Sequence, residues 1–392
     1  MLNISIVGGA GRVGLPLALV LAEQGFKVNI IDTDIGRVDQ INKRIMPFAE
    51  VGAQEILTAT SEQQLTAVTN LSSIKESEVC ILVIGTPVLE NGRPGTDALF
   101  ELVKEIKPYL INVKILILRS TVFPGVTGQI KEFLVDNNLK IEVAFCPERL
   151  VEGNAIYELR NLPQIIGVET SQGYDLASEI FKRVSPDVLR TSTEEAEISK
   201  LFANSLRYLQ FGIANEFFEI CIRNNINWEN VWHALKYKYP RAASLPKPGF
   251  AAGPCLVKDT QQLDYYYDGN FNLGKSALEI NENFPDFLIS KLMDKIDISD
   301  KTIGILGMTF KGGIDDFRDS LSFRLKRILE TKASQVLCSD TKLQKSYFIE
   351  MENLVENSDI IIVAAPHNEY KELITNKPVI DIWRITANQS LI

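Results

Sequence analysis

Ile4-Ser5-Ile6-Val7-Gly8-Gly9-Ala10-Gly11-Arg12-Val13-Gly14 joins a short apolar run to the spaced glycines Gly9, Gly11 and Gly14. Leu2 to Val7 predicts a buried strand, Pro16 to Gln24 a helix stopped at Gly25, and Lys27 to Ile31 a second strand closing on Asp32. That order is a β-α-β unit whose turn offers backbone N–H groups, at a helix N-terminus, to an anionic phosphate. Gly9, Gly11, Arg12, Val13 and Gly14 are therefore the candidate pyrophosphate contacts, with Gly14 permitting close helix packing. Asp32 is placed to accept both hydroxyls of an adenosine ribose, and its charge opposes a 2′-phosphate, which favours NAD over NADP. Arg37, five residues on, carries the opposite charge and pulls the other way.

Further buried strands are expected at Val79 to Ile84, Ile115 to Leu118 and Ile141 to Phe145. Each runs into loop chemistry: Gly85-Thr86-Pro87, Arg119-Ser120-Thr121 and Cys146-Pro147-Glu148. Ligands of an open parallel sheet gather at the carboxyl ends of its strands, so those three tips are expected to supply site residues. Glu148 reads equally as a base or as a solvated loop carboxylate.

From Thr191 to Arg223 the pattern becomes helical, with Ile198, Leu201, Phe202, Ser205, Leu209, Ile213, Phe217 and Ile220 recurring every three or four positions. Ser192 and Glu195 form a capping box at its start. A helix of about 30 residues measures about 45 Å, which suits a bridge between two domains, with its apolar excess a candidate dimer seam. Lys200 and Asn204 share one face of it. After a Gly/Pro-rich loop from Pro240 to Pro254 and a second helix near Lys275 to Met293, a strand returns at Thr302 to Leu306, followed by the turn Gly307 to Lys311. A helix near Ser320 to Glu330 and strands near Gln335 to Cys338, Ile360 to Ala364 and Val379 to Ile382 follow. The second α/β region lacks a full GxGxxG, which points to a ligand other than a dinucleotide.

Three regions follow: a Rossmann dinucleotide-binding domain over 1–190, a central helical region over 191–298, and a Rossmann-like α/β domain over 299–392. The chain has 392 residues, 45% of them hydrophobic, enough for more than one core. A formal charge of -9 argues against a nucleic-acid partner, no apolar stretch is long enough to span a bilayer, and the Met1-Leu2-Asn3 start has no basic leader. A cytoplasmic protein is expected. Five scattered cysteines and only two histidines, His233 and His367, give neither a disulfide framework nor a metal-ligand set.

Four cysteines, Cys80, Cys146, Cys221 and Cys338, lie in or beside apolar runs and read as core. Cys255 lies instead among Gly253, Pro254, Lys258 and Asp259, which marks it as a candidate nucleophile. A thiolate turns an aldehyde carbon tetrahedral, so that a second hydride can leave it, a step that a simple alcohol dehydrogenase does not need. Lys200 and Asn204 are candidate oxyanion donors, although on helix statistics alone Lys200 reads better as a solvated surface lysine. Asp259 is a candidate water activator or a helix N-cap. Lys311 and Arg318, at a strand tip and helix entry, are placed for phosphate.

These runs, in order over nearly the whole chain, resemble the nucleotide-sugar 6-dehydrogenases, the family of UDP-glucose and UDP-N-acetylmannosamine dehydrogenases. Beyond the motifs above, the resemblance rests on Thr121-Val122, Pro147-Glu148-Arg149, Glu195 to Asn204, Gly253 to Asp259, Gly307 to Lys311 and Asp381-Ile382-Trp383-Arg384. It implies oxidation of a UDP-sugar at C6 by two NAD molecules through a thiohemiacetal and a thioester, yielding a uronic acid for surface polysaccharide. Cys255 matches the nucleophile, Lys200 and Asn204 the oxyanion partners, Asp259 the water-activating carboxylate, and Glu148 with Thr121 the residues of proton transfer and an ordered water. Thr86, Thr121, Lys258 and Arg318 match cofactor contacts. Glu148, Arg149, Glu152, Lys200, Asn204, Ser244, Gly249, Phe250 and Lys311 match the substrate pocket, and Arg241 the arginine that reaches it from a partner subunit of a homodimer.

Two departures stand out. Ala252-Gly253-Pro254-Cys255 replaces the family's frequent Gly-Gly-Ser-Cys or Gly-Gly-His-Cys, and Pro254 removes a backbone donor. Pro147-Glu148-Arg149 resembles the N-acetylhexosamine branch, so UDP-N-acetylmannosamine or its gluco epimer is the favoured substrate over UDP-glucose or GDP-mannose. A single-step hydroxyacid-type dehydrogenase and a non-catalytic nucleotide sensor remain as alternative readings.

Overall fold

The computed structural model describes residues 2–86 and 95–392. Met1 and Pro87, both used in the sequence reading, lie outside them. The chain divides into two compact units, Met1–Ala203 and Asn204–Ile392.

The first unit is built on an eight-stranded sheet: β1 Asn3–Val7, β2 Lys27–Ile31, β3 Leu65–Val68, β4 Val79–Leu82, β5 Ile115–Leu118, β6 Glu142–Phe145, β7 Gln164–Gly167 and β8 Val188–Thr191. The spatial order is β3-β2-β1-β4-β5-β6-β7-β8, so the chain reverses direction across the sheet between β1 and β4, where such sheets bind ligands. All pairs are parallel except β6 with β7, which meet antiparallel through Phe145 and Gly167. Helices α1 Gly14–Glu23, α2 Ile35–Asn42, α3 Ala53–Ala59, α4 Asp97–Ile106, α5 Val126–Asp136, α6 Ala155–Asn161 and α7 Ser171–Phe181 complete the layers. Because helices cover both faces, the central strands β4 and β5 are uniformly apolar: Val79–Leu82 and Ile115–Leu118 are buried at every position. For the same reason α1 is apolar all round, with nine of its ten residues buried.

Helix α8, Thr193–Arg223, begins in the first unit and ends in the second. Its capping box is formed as expected: the Ser192 N–H donates to Glu195 Oε2 at 2.9 Å and the Glu195 N–H to Ser192 Oγ at 3.3 Å. The expected apolar repeat divides between two faces. Leu201 and Ser205 are buried, whereas Phe202, Ile213, Phe217 and Ile220 stay between 42% and 55% exposed, joined by Leu206, outside the expected repeat, at 57%.

The second unit carries α9 Trp228–Lys236, α10 Leu256–Tyr266, α11 Asn272–Met293, α12 Leu321–Glu330 and α13 Met351–Asn357, with strands β9 Thr302–Leu306, β10 Gln335–Ser339, β11 Ile360–Val363 and β12 Val379–Asp381. These strands form a parallel sheet in the order β10-β9-β11-β12. Ile303, Ile305, Ile360, Ile362, Leu325 and Leu329 make its core together with Phe284 and Leu288 of α11. The architecture is thus a Rossmann α/β unit and a second Rossmann-like α/β unit joined through a long central helix.

Candidate active site

The glycine turn after β1 packs so closely that a Cβ on Gly14 would fall 2.6 Å from Gly9 Cα. Beside it, Asp32 Oδ2 accepts the Ala10 N–H at 3.0 Å and Oδ1 accepts the Asp34 N–H at 3.1 Å. The turn therefore presents a backbone cradle with a carboxylate fixed at its edge, which suits a pyrophosphate and a diol. Arg37 does not meet Asp32 in an ion pair; its Nε lies 3.3 Å from Asp34 Oδ2. Arg12 stacks over Phe48, with 5.0 Å from Cζ to the ring centre, and Val13 is the residue before α1.

The tips of β4 and β5 are tied together. Thr86 Oγ1 donates to the Thr121 carbonyl at 2.6 Å, and the Ile84 N–H donates to Ser120 Oγ at 2.9 Å. At the next tip Glu148 is buried rather than solvated. Arg119 donates from Nη2 to Glu148 Oε2 and from Nη1 to Gln164 Oε1 at 2.9 Å, and Glu148 Oε1 accepts the Leu150 N–H at 2.8 Å. Arg119 is only 3% exposed and also faces the Phe181 ring. Arg149 donates to the Pro163 carbonyl, and Glu152 is partly buried.

Glu197, on α8 and fully buried, closes the start of α5 by accepting the Gly125 N–H at 2.6 Å and the Thr127 N–H at 2.8 Å. Burial raises its carboxyl above the ordinary range despite those bonds. One turn further along α8 stands Lys200, 8% exposed. A lysine so buried is not a surface charge.

In the second unit Cys255 is exposed and occupies the N-cap position of α10, where the helix dipole favours negative charge on sulfur. The other four cysteines are buried, and desolvation pushes the thiols of Cys80, Cys146 and Cys338 up to about 12. Asp259, in the first turn of α10, is fully buried. Its Oδ2 accepts Asn204 Nδ2 at 2.5 Å, and its Oδ1 lies 3.4 Å from Lys258 Nζ. Asn204, on α8, is 8% exposed. Asp259 thus sits inside the first turn, while the cap position itself is taken by Cys255.

The remaining candidates of this unit are more scattered. Arg241 and Ser244 are exposed, with Arg241 over the Tyr239 ring at 5.7 Å. Phe250 is 4% exposed and packs edge-on to Phe284, so it belongs to the core. Gly249 has both backbone groups engaged by Asn215, at 2.8 and 3.1 Å. The Lys311 carbonyl accepts Thr309 Oγ1 at 3.0 Å, and Arg318 is clamped by Asp316 through Nε at 2.9 Å and Nη2 at 2.5 Å. The sequence reading singled out neither Gln164, Asn215 nor Glu197; Gln164 and Asn215 were marked only as polar residues beside apolar ones, and Glu197, among Glu194, Glu195 and Lys200, carried no local signal.

A chain with these features is an NAD-binding oxidoreductase of two nucleotide-binding-like α/β units. It belongs to the UDP-glucose/GDP-mannose dehydrogenase family: models of that family match its NAD binding domain at residues 2–185, its central domain at 194–283 and its UDP binding domain at 304–388. The chain is 31% identical to a UDP-N-acetyl-D-mannosamine dehydrogenase of Methanocaldococcus jannaschii, over 93% of this chain and 85% of that protein. A protein of the same name from Campylobacter jejuni is 29% identical over 96% and 98%. The solved UDP-D-ManNAc dehydrogenase of Pyrococcus horikoshii superposes with a TM-score of 0.91 at 26% identity, covering 99% of this chain and 97% of that one. NAD is the cofactor, and the glycine cradle with Asp32 suits it. Among the described residues, no helix is long and apolar enough to cross a membrane.

Proposed function

We propose that this chain oxidises the C6 alcohol of a UDP-sugar to the UDP-uronic acid in two NAD-dependent steps, through a thiohemiacetal and a thioester on Cys255. The observation that carries the reading is Cys255 itself, exposed at a helix N-terminus one turn before the buried Asp259. When bound, NAD accepts one hydride in each oxidation.

The alcohol first loses a hydride from C6 and a proton from its oxygen, giving an aldehyde. The Cys255 thiolate adds to that carbon, forming a C–S bond and an oxyanion that takes up a proton as the thiohemiacetal. Lys200 and Asn204 are the assigned donors to this oxyanion. Loss of a second hydride and of the hydroxyl proton leaves the thioester. Water then attacks the acyl carbon, with Asp259 helping to take its proton, and the C–S bond breaks to return the thiolate and a carboxylate. One alcohol and one water thus yield one carboxylate, two NADH and three protons. Glu148, oriented by Arg119, and Thr121, whose carbonyl is held by Thr86, are assigned to proton transfer and to ordering water. Arg149, Glu152, Lys311 and Ser244 are assigned to the sugar nucleotide, Gly249 and Phe250 to shaping its loop from the core beneath, and Thr86, Lys258 and Arg318 to the cofactor.

The favoured substrate is UDP-N-acetylmannosamine or its gluco epimer, supported by Arg149 after Pro147-Glu148 and by the names of the relatives. NADH production with UDP-N-acetylmannosamine, UDP-N-acetylglucosamine, UDP-glucose and GDP-mannose tests this; turnover of UDP-glucose alone overturns the sugar assignment. We assign the reaction to the cytoplasm, consistent with five cysteines that form no disulfide among the described residues. The exposed stripe of α8 is assigned to a homodimer seam, through which Arg241 serves the partner's site.

A further inference from the structure

We propose that Asn215 and Trp383 are positioning residues that seat the Gly249 peptide, and through it the loop that ends at Cys255. The inference rests on the assignment of Cys255 as nucleophile, and it gives a task to the late Asp381-Ile382-Trp383-Arg384 run, which the chemistry above leaves unused.

Asn215, on α8, is fully buried. Its Oδ1 accepts the Gly249 N–H at 2.8 Å, while its Nδ2 donates to the Gly249 carbonyl at 3.1 Å and to Asn281 Oδ1 at 2.9 Å. Asn281, fully buried on α11, donates in turn to the Tyr208 carbonyl at 3.1 Å. Both protons of the Asn215 amide are thereby used, and the chain of donors fixes which way the amide faces. The side chain imitates a neighbouring strand: it supplies one acceptor and one donor to a buried peptide that has no sheet partner of its own.

Trp383 packs against the same glycine. A Cβ on Gly249 would fall 2.5 Å from its ring, and its Nε1 is held by the Ala364 carbonyl at 2.9 Å. Further along the same loop, Gly253, at φ +102°, presses on the Phe310 ring, where a Cβ would fall 2.6 Å away. The loop is therefore gripped at Gly249 and again at Gly253, two residues before the sulfur. A fully satisfied buried polar pair of this kind selects one backbone conformation. A nucleophile displaced by about 1 Å loses on the order of 100-fold in rate.

The test uses the full chain with NAD and whichever UDP-sugar the wild type oxidises. Asn215→Asp keeps the acceptor for Gly249 N–H and removes both donors. We expect hydrogen exchange in residues 249–253 to rise at least tenfold, with α11 beyond its Asn281 contact unchanged, and kcat to fall at least tenfold while the KM for NAD stays within twofold. Trp383→Ala is expected to behave likewise and Trp383→Phe, which keeps a ring against Gly249, to restore most of the rate; this pair decides the matter should Asn215→Asp be insoluble. The proposal is overturned if the loop loosens while kcat holds, if kcat falls while loop exchange is unchanged, or if neither moves. A Cys255→Ser variant measured alongside separates the two claims: uronate formed at the wild-type rate defeats the nucleophile assignment, whereas an inactive serine variant beside fully active Asn215→Asp and Trp383→Ala defeats only the seating.

Discussion

Asn204 Nδ2 lies 2.5 Å from Asp259 Oδ2, so a side chain of the long helix supplies the hydrogen bond to a carboxylate that has no solvent exposure. Removing that donor leaves a buried charge short of a partner, which costs about 2 kcal/mol. At about 2–4 °C per kcal/mol for a unit of this size, Asn204→Ala is expected to lower the melting temperature by about 4–8 °C. Asn204→Asp, placing two carboxylates together, is expected to lower it further. Differential scanning calorimetry of both variants checks the order.

Asp32 holds the Ala10 N–H and stands beside Asp34, which engages Arg37. Replacing Asp32 with alanine removes the charge opposed to a 2′-phosphate and leaves Arg37 nearby. The ratio of kcat/KM for NADP to that for NAD is expected to rise at least tenfold. An unchanged ratio measured at 340 nm contradicts the role assigned to Asp32.

Glu197 titrates above the ordinary carboxyl range because burial outweighs the Gly125 and Thr127 hydrogen bonds. A carboxyl whose folded pKa is raised stabilises the fold fully below its unfolded value near 4.5 and loses that contribution as pH rises through the folded value. The stability of wild type relative to Glu197→Gln is therefore expected to improve as pH is lowered from 7 towards 4. Because other groups cancel in the difference, thermal melts of the pair across that range are sufficient. A signed stability difference, wild type minus variant, that stays constant or falls on acidification is the contrary result.

Phe202, Leu206, Ile213, Phe217 and Ile220 leave an apolar stripe on α8. If this stripe is a dimer seam, Ile213→Asp with Phe217→Asp is expected to halve the mass seen by light scattering. A wild-type monomer, or an unaffected oligomer, contradicts the seam.

The first β-α-β unit was legible because glycine spacing, an apolar strand and a closing acid are all local signals, and β2, β5 and β9 match their expected bounds. Strands β3, β7 and β8 were not foreseen: Leu65–Val68 and Val188–Thr191 are partly exposed at the two sheet edges, and Gln164–Gly167 opens on a polar residue and ends in glycine. Periodicity marked α8 as helical but assigned Leu201 and Phe202 to one pattern, although they point to opposite environments, because a helix with two apolar faces has no single stripe to read. The pairing of Arg119 with Glu148 and of Asn215 with Gly249 joins residues far apart in the chain, so no local pattern encodes it. The residue types of the site were visible in sequence, whereas the contacts that hold them were not.

The central claim is the acyl bond to the sulfur of Cys255, and product analysis of a Cys255→Ser variant tests it most directly. With the wild type, two NADH per UDP-sugar and no released aldehyde are expected, and with the serine variant less than one hundredth of the uronate rate. Uronate formed by the serine variant as fast as by the wild type would contradict the account.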